Sequence, residues 1–358
     1  MSAAPQVETT HFEVTDHPVY QDFAEVVRTV IAPRAVEVDA TEVPLSNVAA
    51  LREVGYFSWA VPVQYGGTAV PPEVKYAASE LLFGACPSTA LAVTQHDGPV
   101  GLALKSKSKA ALALLPQLAT GERIGTTGVS QIRTWREGRS MFAKKVPGGY
   151  RFDGPVTYLS GFGIADTGNL GAVDPDNDTY VFGIVDLTQP GVSGKILELA
   201  AVRGSRTASL QLDNVFVADE FVGEVVDIDE WLASDGITKQ NPFAAVGPIG
   251  IGRAALADAL EVFPGEPSLL KLSEELEHAA ITPLRDPYWR AQLDEIVVRA
   301  TLAGLVARGG RGLNTNHIAQ VRARAAFFLQ VRGLSAPMRV ARFEKLAHID
   351  NPAATQRG

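Results

Sequence analysis

Chemistry in this chain must come from a small set of groups. Arg133, Arg136, Arg139, Lys144 and Lys145 crowd into one short stretch. Read plainly, they form a solvated loop, as most charge runs do. Read chemically, they form a landing site for an anionic carrier such as coenzyme A or a phosphopantetheinyl arm, because guanidinium forks hold phosphates. His11, His17, His96, His278, His317 and His348 are scattered without a His-x-x-x-His pair, so spacing assigns no metal ligands. Cys86 is the single cysteine, which excludes an intrachain disulfide and a cysteine zinc site. Gly161-Phe-Gly163 and Gly250-Ile-Gly252 lack the third glycine of a dinucleotide fingerprint, and no loop ends in Gly-Lys-Ser/Thr. No Gly-x-Ser-x-Gly elbow marks a serine nucleophile.

The elements that must position such groups form three blocks. From Val19 to Val38 apolar residues recur at helical spacing, with Pro33 as a kink. Ser46 is the expected N-cap of a helix stopped by Gly55, and Ser88 that of a helix running to Leu104. Between Gly121 and Val217, β-rich runs broken by Gly, Pro, Asn and Asp predict antiparallel strands. Helical periodicity then returns over 242–262, 268–280, 287–308, 316–331 and 338–348. Helices, strands and helices in that order predict an α+β arrangement with a segregated sheet, and a small sheet between helical blocks suits a flat ligand. The 358 residues are 46% hydrophobic and 20% charged, with a net charge of -8, which argues against nucleic-acid binding by bulk charge. No uninterrupted apolar run is long enough to span a membrane. Met1 to Thr10 lacks the basic and apolar segments of a secretory signal, so a cytoplasmic protein is expected.

Four stretches, in order, resemble the acyl-CoA dehydrogenase superfamily of flavoproteins. The first is Ala32-Pro33 with Asp39, Leu51-Arg-Glu-Val-Gly55 and Val61-Pro-Val-Gln-Tyr-Gly-Gly67. The second is Leu115-Pro-Gln-Leu-Ala-Thr-Gly-Glu122. The third is Arg203-Gly-Ser-Arg-Thr207 followed by Leu212 to Val217, and the fourth is Gly247-Pro-Ile-Gly-Ile-Gly-Arg-Ala-Ala255. The resemblance implies an N-terminal helical domain (1–122), a middle antiparallel β-domain (123–226) and a shortened C-terminal helical bundle (227–358). It further implies FAD, a small-molecule or carrier-linked acyl substrate, and a homodimer or homotetramer.

Carried over by position, the resemblance places Ser130 and Gln131 at a strand end, and Tyr158 and Ser160 beside the flavin ring. A hydroxyl there meets the ring edge without adding charge. Gln330 and Gly333 are similar to a Gln-x-x-Gly near the flavin diphosphate. Arg133, Arg136, Gln240 and Asn241 are the implied substrate contacts. Where the family carries Gly-Ser-Asp after this strand, Arg133-Thr-Trp-Arg136 stands, and the family's Arg-x-x-Phe-Gly is replaced by Pro264-Gly-Glu-Pro267. An α,β-desaturating dehydrogenase needs a carboxylate base. The two family positions fall on Asn351, beside Asp350, and on Gln240; Asp350 is the candidate base. In a monooxygenase of the same fold, using reduced FMN or FAD supplied by a reductase and oxygen, no such base is needed, and His348 is the candidate polar group. A catalytically silent partner subunit is the third reading.

Overall fold

The computed structural model describes residues 14–68, 70–138, 140–234, 243–282 and 287–347. Helix α1 (Pro18–Val26) continues through a π-helical turn (Val27–Ile31) and a 3-10 turn (Ala32–Arg34) into α2 (Ala35–Ala40). The irregularity falls where Pro33 removes a backbone donor. Next come α3 (Leu45–Glu53), α4 (Pro72–Ala85), α5 (Pro87–Val93), α6 (Asp97–Ser106), α7 (Lys109–Leu112) and α8 (Leu115–Thr120). Two expected caps are corrected. Helix α3 starts at Leu45 behind an extended Pro44, and Ser46 lies inside it, accepting from Arg34 Nη1 at 2.8 Å. Helix α5 starts on Pro87, whose ring presets φ and whose missing N–H costs nothing at that position, so Ser88 is interior and buried. The helix expected over Ser88–Leu104 is broken at a 3-10 turn (Thr94–His96), because Pro99 cannot continue the ladder.

The sheet holds β1 (Gly125–Gly128), β2 (Phe142–Val146), β3 (Gly149–Leu159), β4 (Thr167–Asp174), β5 (Thr179–Asp186), β6 (Val192–Ile196), β7 (Ala208–Ala218) and β8 (Val222–Asp227). Their order is β6-β7-β3-β2-β4-β5-β8, with β1 paired to β4. The sheet is antiparallel except that β1 and β4 run parallel and β2 meets β4 at one parallel pair. One face packs Phe152, Val156, Leu159, Leu170, Leu210 and Leu212 together. Elsewhere Ile132, Tyr180 and Phe182 join Leu102, Leu115 and Leu118 of α6 and α8.

After α9 (Ile228–Ser234), the last block comprises α10 (Phe243–Val262), α11 (Pro267–Ile281), α12 (Pro287–Arg308), α13 (Ile318–Val331) and α14 (Ala336–Leu346). Gly252 of α10 lies by Leu276 of α11 and Val297 of α12, while Ala255 lies by Gly304. Arg308 reaches Asp258, and Gly247 lies by Leu329 of α13 while Arg322 of α13 reaches Asp258. These contacts set α10 and α12 parallel, with α11 and α13 reversed: an up-down-up-down bundle. The bundle shares its core with the first block, as Phe23, Leu82 and Phe83 cluster with Ile249, Leu276 and Leu329. Helices α4 and α10 cross so closely that a Cβ on Gly250 would stand 2.0 Å from the Glu80 carbonyl oxygen. Only glycine fits there. Among the described residues no helix is long and apolar enough to cross a membrane.

Candidate functional site

The hydroxyl-bearing positions gather where β1 and β3 end. Strand β3 slips register against β7 between Val156 and Leu159. Those two residues therefore both face the core although they are three apart, and Thr157 and Tyr158 turn outward. Tyr158 is 57% exposed. Ser130, just past β1, lies 3.4 Å from the Thr157 hydroxyl, and Thr126 of β1 donates to the Ser160 carbonyl at 2.7 Å. Ser130, Tyr158 and Ser160 thus belong to one strand-end cluster.

Ser160 is not a free hydroxyl. Its Oγ is hydrogen bonded to Thr207 Oγ1 at 2.9 Å, and Thr207 to Ser205 at 2.8 Å, with Ser205 and Thr207 both buried. The chain can wind into this chain of hydroxyls because Val202 and Arg206 take left-handed backbone angles. Arg206 is held there by donating from Nε to the Phe162 carbonyl at 2.8 Å and from Nη1 to Glu42 at 2.7 Å. Thr157, Ser205 and Thr207 were not singled out from sequence for this role. The Arg-Gly-Ser-x-Thr stretch held the signal, but only the fold shows that its two hydroxyls point back to β3.

His96 anchors this end from behind. Its Nδ1 accepts from the Gly125 amide at 2.9 Å, and its ring lies edge-on to Phe57 at 5.0 Å. Burial pushes its pKa down to about 4, outweighing the pull of Asp97, so it is neutral at physiological pH with the Nε2 proton retained.

The other expected residues fall elsewhere. Gln131 is buried and donates from Nε2 to the Gly128 and Gly171 carbonyls at 3.1 and 2.9 Å, which ties β1 to β4. Ser130–Glu137 is a 3-10 helix rather than an open loop. Its Arg133 stacks over Trp231 of α9 at 4.6 Å, and Trp231 meets Tyr180 edge-on at 5.2 Å. Arg136 is exposed and lies over Trp135 at 4.9 Å. The segment that replaces Gly-Ser-Asp is therefore pinned to the sheet and α9 through aromatic rings. Gln330 donates inward to the Asp294 carbonyl at 3.0 Å, and Gly333 follows α13 at a φ of 64°, the left-handed stop of a helix. His348, Asp350, Gln240 and Asn241 lie outside the described residues. Among the described residues, no group of three His, Cys, Asp or Glu is arranged to hold a metal.

Known proteins share part of this sequence and the whole of this architecture. The family described as acyl-CoA dehydrogenase, N-terminal domain, matches residues 16–122. Isovaleryl-CoA dehydrogenase of Arabidopsis thaliana mitochondria is 27% identical over 242 residues, 64% of this chain and 59% of that protein. The match thus spans about three-fifths of the relative's length. Butyryl-CoA dehydrogenase of Megasphaera elsdenii superposes with a TM-score of 0.76 at 19% identity, over 92% of this chain and 98% of that one. The prolyl acyl carrier protein oxidase AnaB superposes at 0.74 and 16% identity, over 92% and 97%. Residues 16–122 thus match the acyl-CoA dehydrogenase N-terminal domain, and the chain as a whole has the acyl-CoA dehydrogenase fold of helical domain, middle sheet and helical bundle.

Proposed function

We propose that this chain is a flavin-dependent acyl-thioester oxidoreductase that desaturates an acyl group at its α and β carbons, the acyl group being carried on coenzyme A or a carrier protein. The observation that carries the reading is the strand-end cluster of Ser130, Thr157, Tyr158 and Ser160, in a chain with an acyl-CoA dehydrogenase N-terminal domain. The cluster fits the polar edge of an isoalloxazine. It offers neutral hydroxyls that both donate and accept, and Tyr158 leaves an aromatic face open to stacking. Ser130 and Ser160 would hold that edge, and Tyr158 would cover the ring.

FAD, when bound, supplies the two-electron acceptor for the hydride that leaves the β carbon. The chain's own task is to take the α proton, and Asp350 is the proposed base; the product is the α,β-unsaturated thioester. Arg133 and Arg136, with Gln240 and Asn241, are the proposed contacts for the carrier. Assembly as a homodimer or homotetramer belongs to the same proposal.

Titration of the purified full chain with FAD, followed by flavin fluorescence, tests the site. The wild type should bind, and Ser130→Ala and Tyr158→Ala should each weaken binding without moving the melting temperature of the flavin-free protein. Equal affinities in all three proteins would remove the cluster from the site. Uptake confined to reduced flavin, with oxygen consumed, would replace desaturation by the monooxygenase reading. Exchange of Asp350 for Asn should abolish desaturation while leaving flavin affinity in place.

A further inference from the structure

Where α12 turns into α13, the bundle leaves a cleft of about 570 Å³. It is lined by Val262 at the end of α10, Ala307 and Arg308 at the end of α12, Gly310 and Arg311 of the 3-10 turn Gly309–Leu313, and His317. A space of several hundred Å³ is the size in which small molecules are held. Solvent reaches it: Arg311 is exposed, Val262 is 38% exposed, and a Cβ on Gly310 would meet no atom within 4 Å. The cleft lies at the opposite end of α13 from Gln330 and Gly333, and the 14 residues of that helix put about 20 Å between its two ends.

Its polar lining is all donor. His317 is the N-cap of α13, and its Nδ1 accepts from the Ala319 amide at 3.1 Å. The neutral ring therefore carries its proton on Nε2, which has no partner among the described residues. The Arg311 guanidinium makes no hydrogen bond or ion pair among the described residues. Arg308 engages only Nη2, with the Asp258 carbonyl at 3.4 Å and Glu261 at 3.2 Å. Glu261 is 76% exposed, so that bridge is a weak surface contact, and the Asp258 carboxylate is held by Arg322. No acidic side chain lines the cleft. The first turn of α13 adds the positive end of its dipole on the same side.

A phosphoryl group presents its terminal oxygens tetrahedrally, whereas a carboxylate presents two in one plane. Two guanidinium groups and an imidazole N–H, coming from a helix end, a turn and a cap, suit the first. The space exceeds a bare phosphate, and Val262 and Ala307 give the remainder an apolar wall. We propose that this cleft binds the phosphoryl group of a small organic phosphate, with the organic part against Val262 and Ala307. Arg308 and Arg311 hold the oxygens, and His317 donates from Nε2. The cleft shares no residue with the proposed flavin site, so the assignment stands whether or not the desaturase reading holds.

Calorimetric titration of the full chain with phenyl phosphate tests this, with inorganic phosphate and benzoate as comparisons. Phenyl phosphate should bind at one site per chain and more tightly than either comparison. Arg311→Ala, in an exposed turn, should fold normally and lose about tenfold in affinity. His317→Asn keeps a capping oxygen for α13 but removes the imidazole, so it should melt like the wild type and bind more weakly. Saturating FAD should leave the affinity unchanged; competition would place the phosphoryl group in the flavin's own site and overturn the proposal. Absence of phenyl phosphate binding, or equal affinities in the wild type and Arg311→Ala, would also overturn it. So would benzoate or inorganic phosphate binding as tightly as phenyl phosphate.

Discussion

Acid should unlatch the sheet from the first helical block through one residue, His96. The unfolded chain protonates this imidazole near 6.5 and the fold near about 4, because burial disfavours the cation. Between those values the unfolded state binds a proton that the native state refuses. Stability is therefore complete above about 6.5 and falls as the pH drops toward about 4. The separation corresponds to about 3 kcal/mol at ~1.4 kcal/mol per pH unit. A protonated ring also loses the acceptor at Nδ1 that holds the Gly125 amide at 2.9 Å, so β1 should loosen together with the strand end that carries Ser130. The assay is urea unfolding at several pH values from 7.5 to 4.5, for the wild type and for His96→Gln, which keeps an acceptor and cannot titrate. The variant should begin less stable at pH 7.5, and the gap should shrink by about 2–3 kcal/mol at the acid end. Parallel stability curves for the two proteins would refute the reasoning.

Other outcomes follow from single contacts. Gly250→Val must force α4 from α10, since even a Cβ would meet the Glu80 oxygen at 2.0 Å, and should cost at least the ~1–3 kcal/mol of ordinary overpacking, read as a lower melting temperature. Tyr180→Phe leaves the Ile132 carbonyl without its 3.0 Å donor inside the sheet core and should cost about 1–3 kcal/mol in urea unfolding. Ser160→Ala and Thr207→Val should be non-additive in FAD affinity, because each removes the same 2.9 Å hydroxyl pair; additive losses in a double-mutant cycle would separate Thr207 from the site.

The blocks of this fold were legible because each announces its own period. Helical spacing over 287–308 coincides with α12, and the π and 3-10 turns after Val26 follow from Pro33, a local cause. The caps at Ser46 and Ser88 were misread for an equally local reason: a nearby proline started each helix before the serine could. Family resemblance named Ser130, Tyr158 and Ser160, which the fold gathers at one strand end, but not Thr207. Its pairing with Ser160 depends on β7 lying beside β3, a long-range register that no window of sequence contains. Gln131 turned inward for a similar reason, since the Gly171 carbonyl it binds arrives from β4.

The account turns on whether a flavin seated on the strand-end cluster accepts electrons from an acyl thioester. Anaerobic addition of isovaleryl-CoA and butyryl-CoA to the full chain loaded with FAD, followed by visible absorption, reads this directly. The account predicts that the oxidised flavin band bleaches with at least one thioester, and that Asp350→Asn binds the flavin but does not bleach. A full chain that takes up no flavin in either redox state would contradict it.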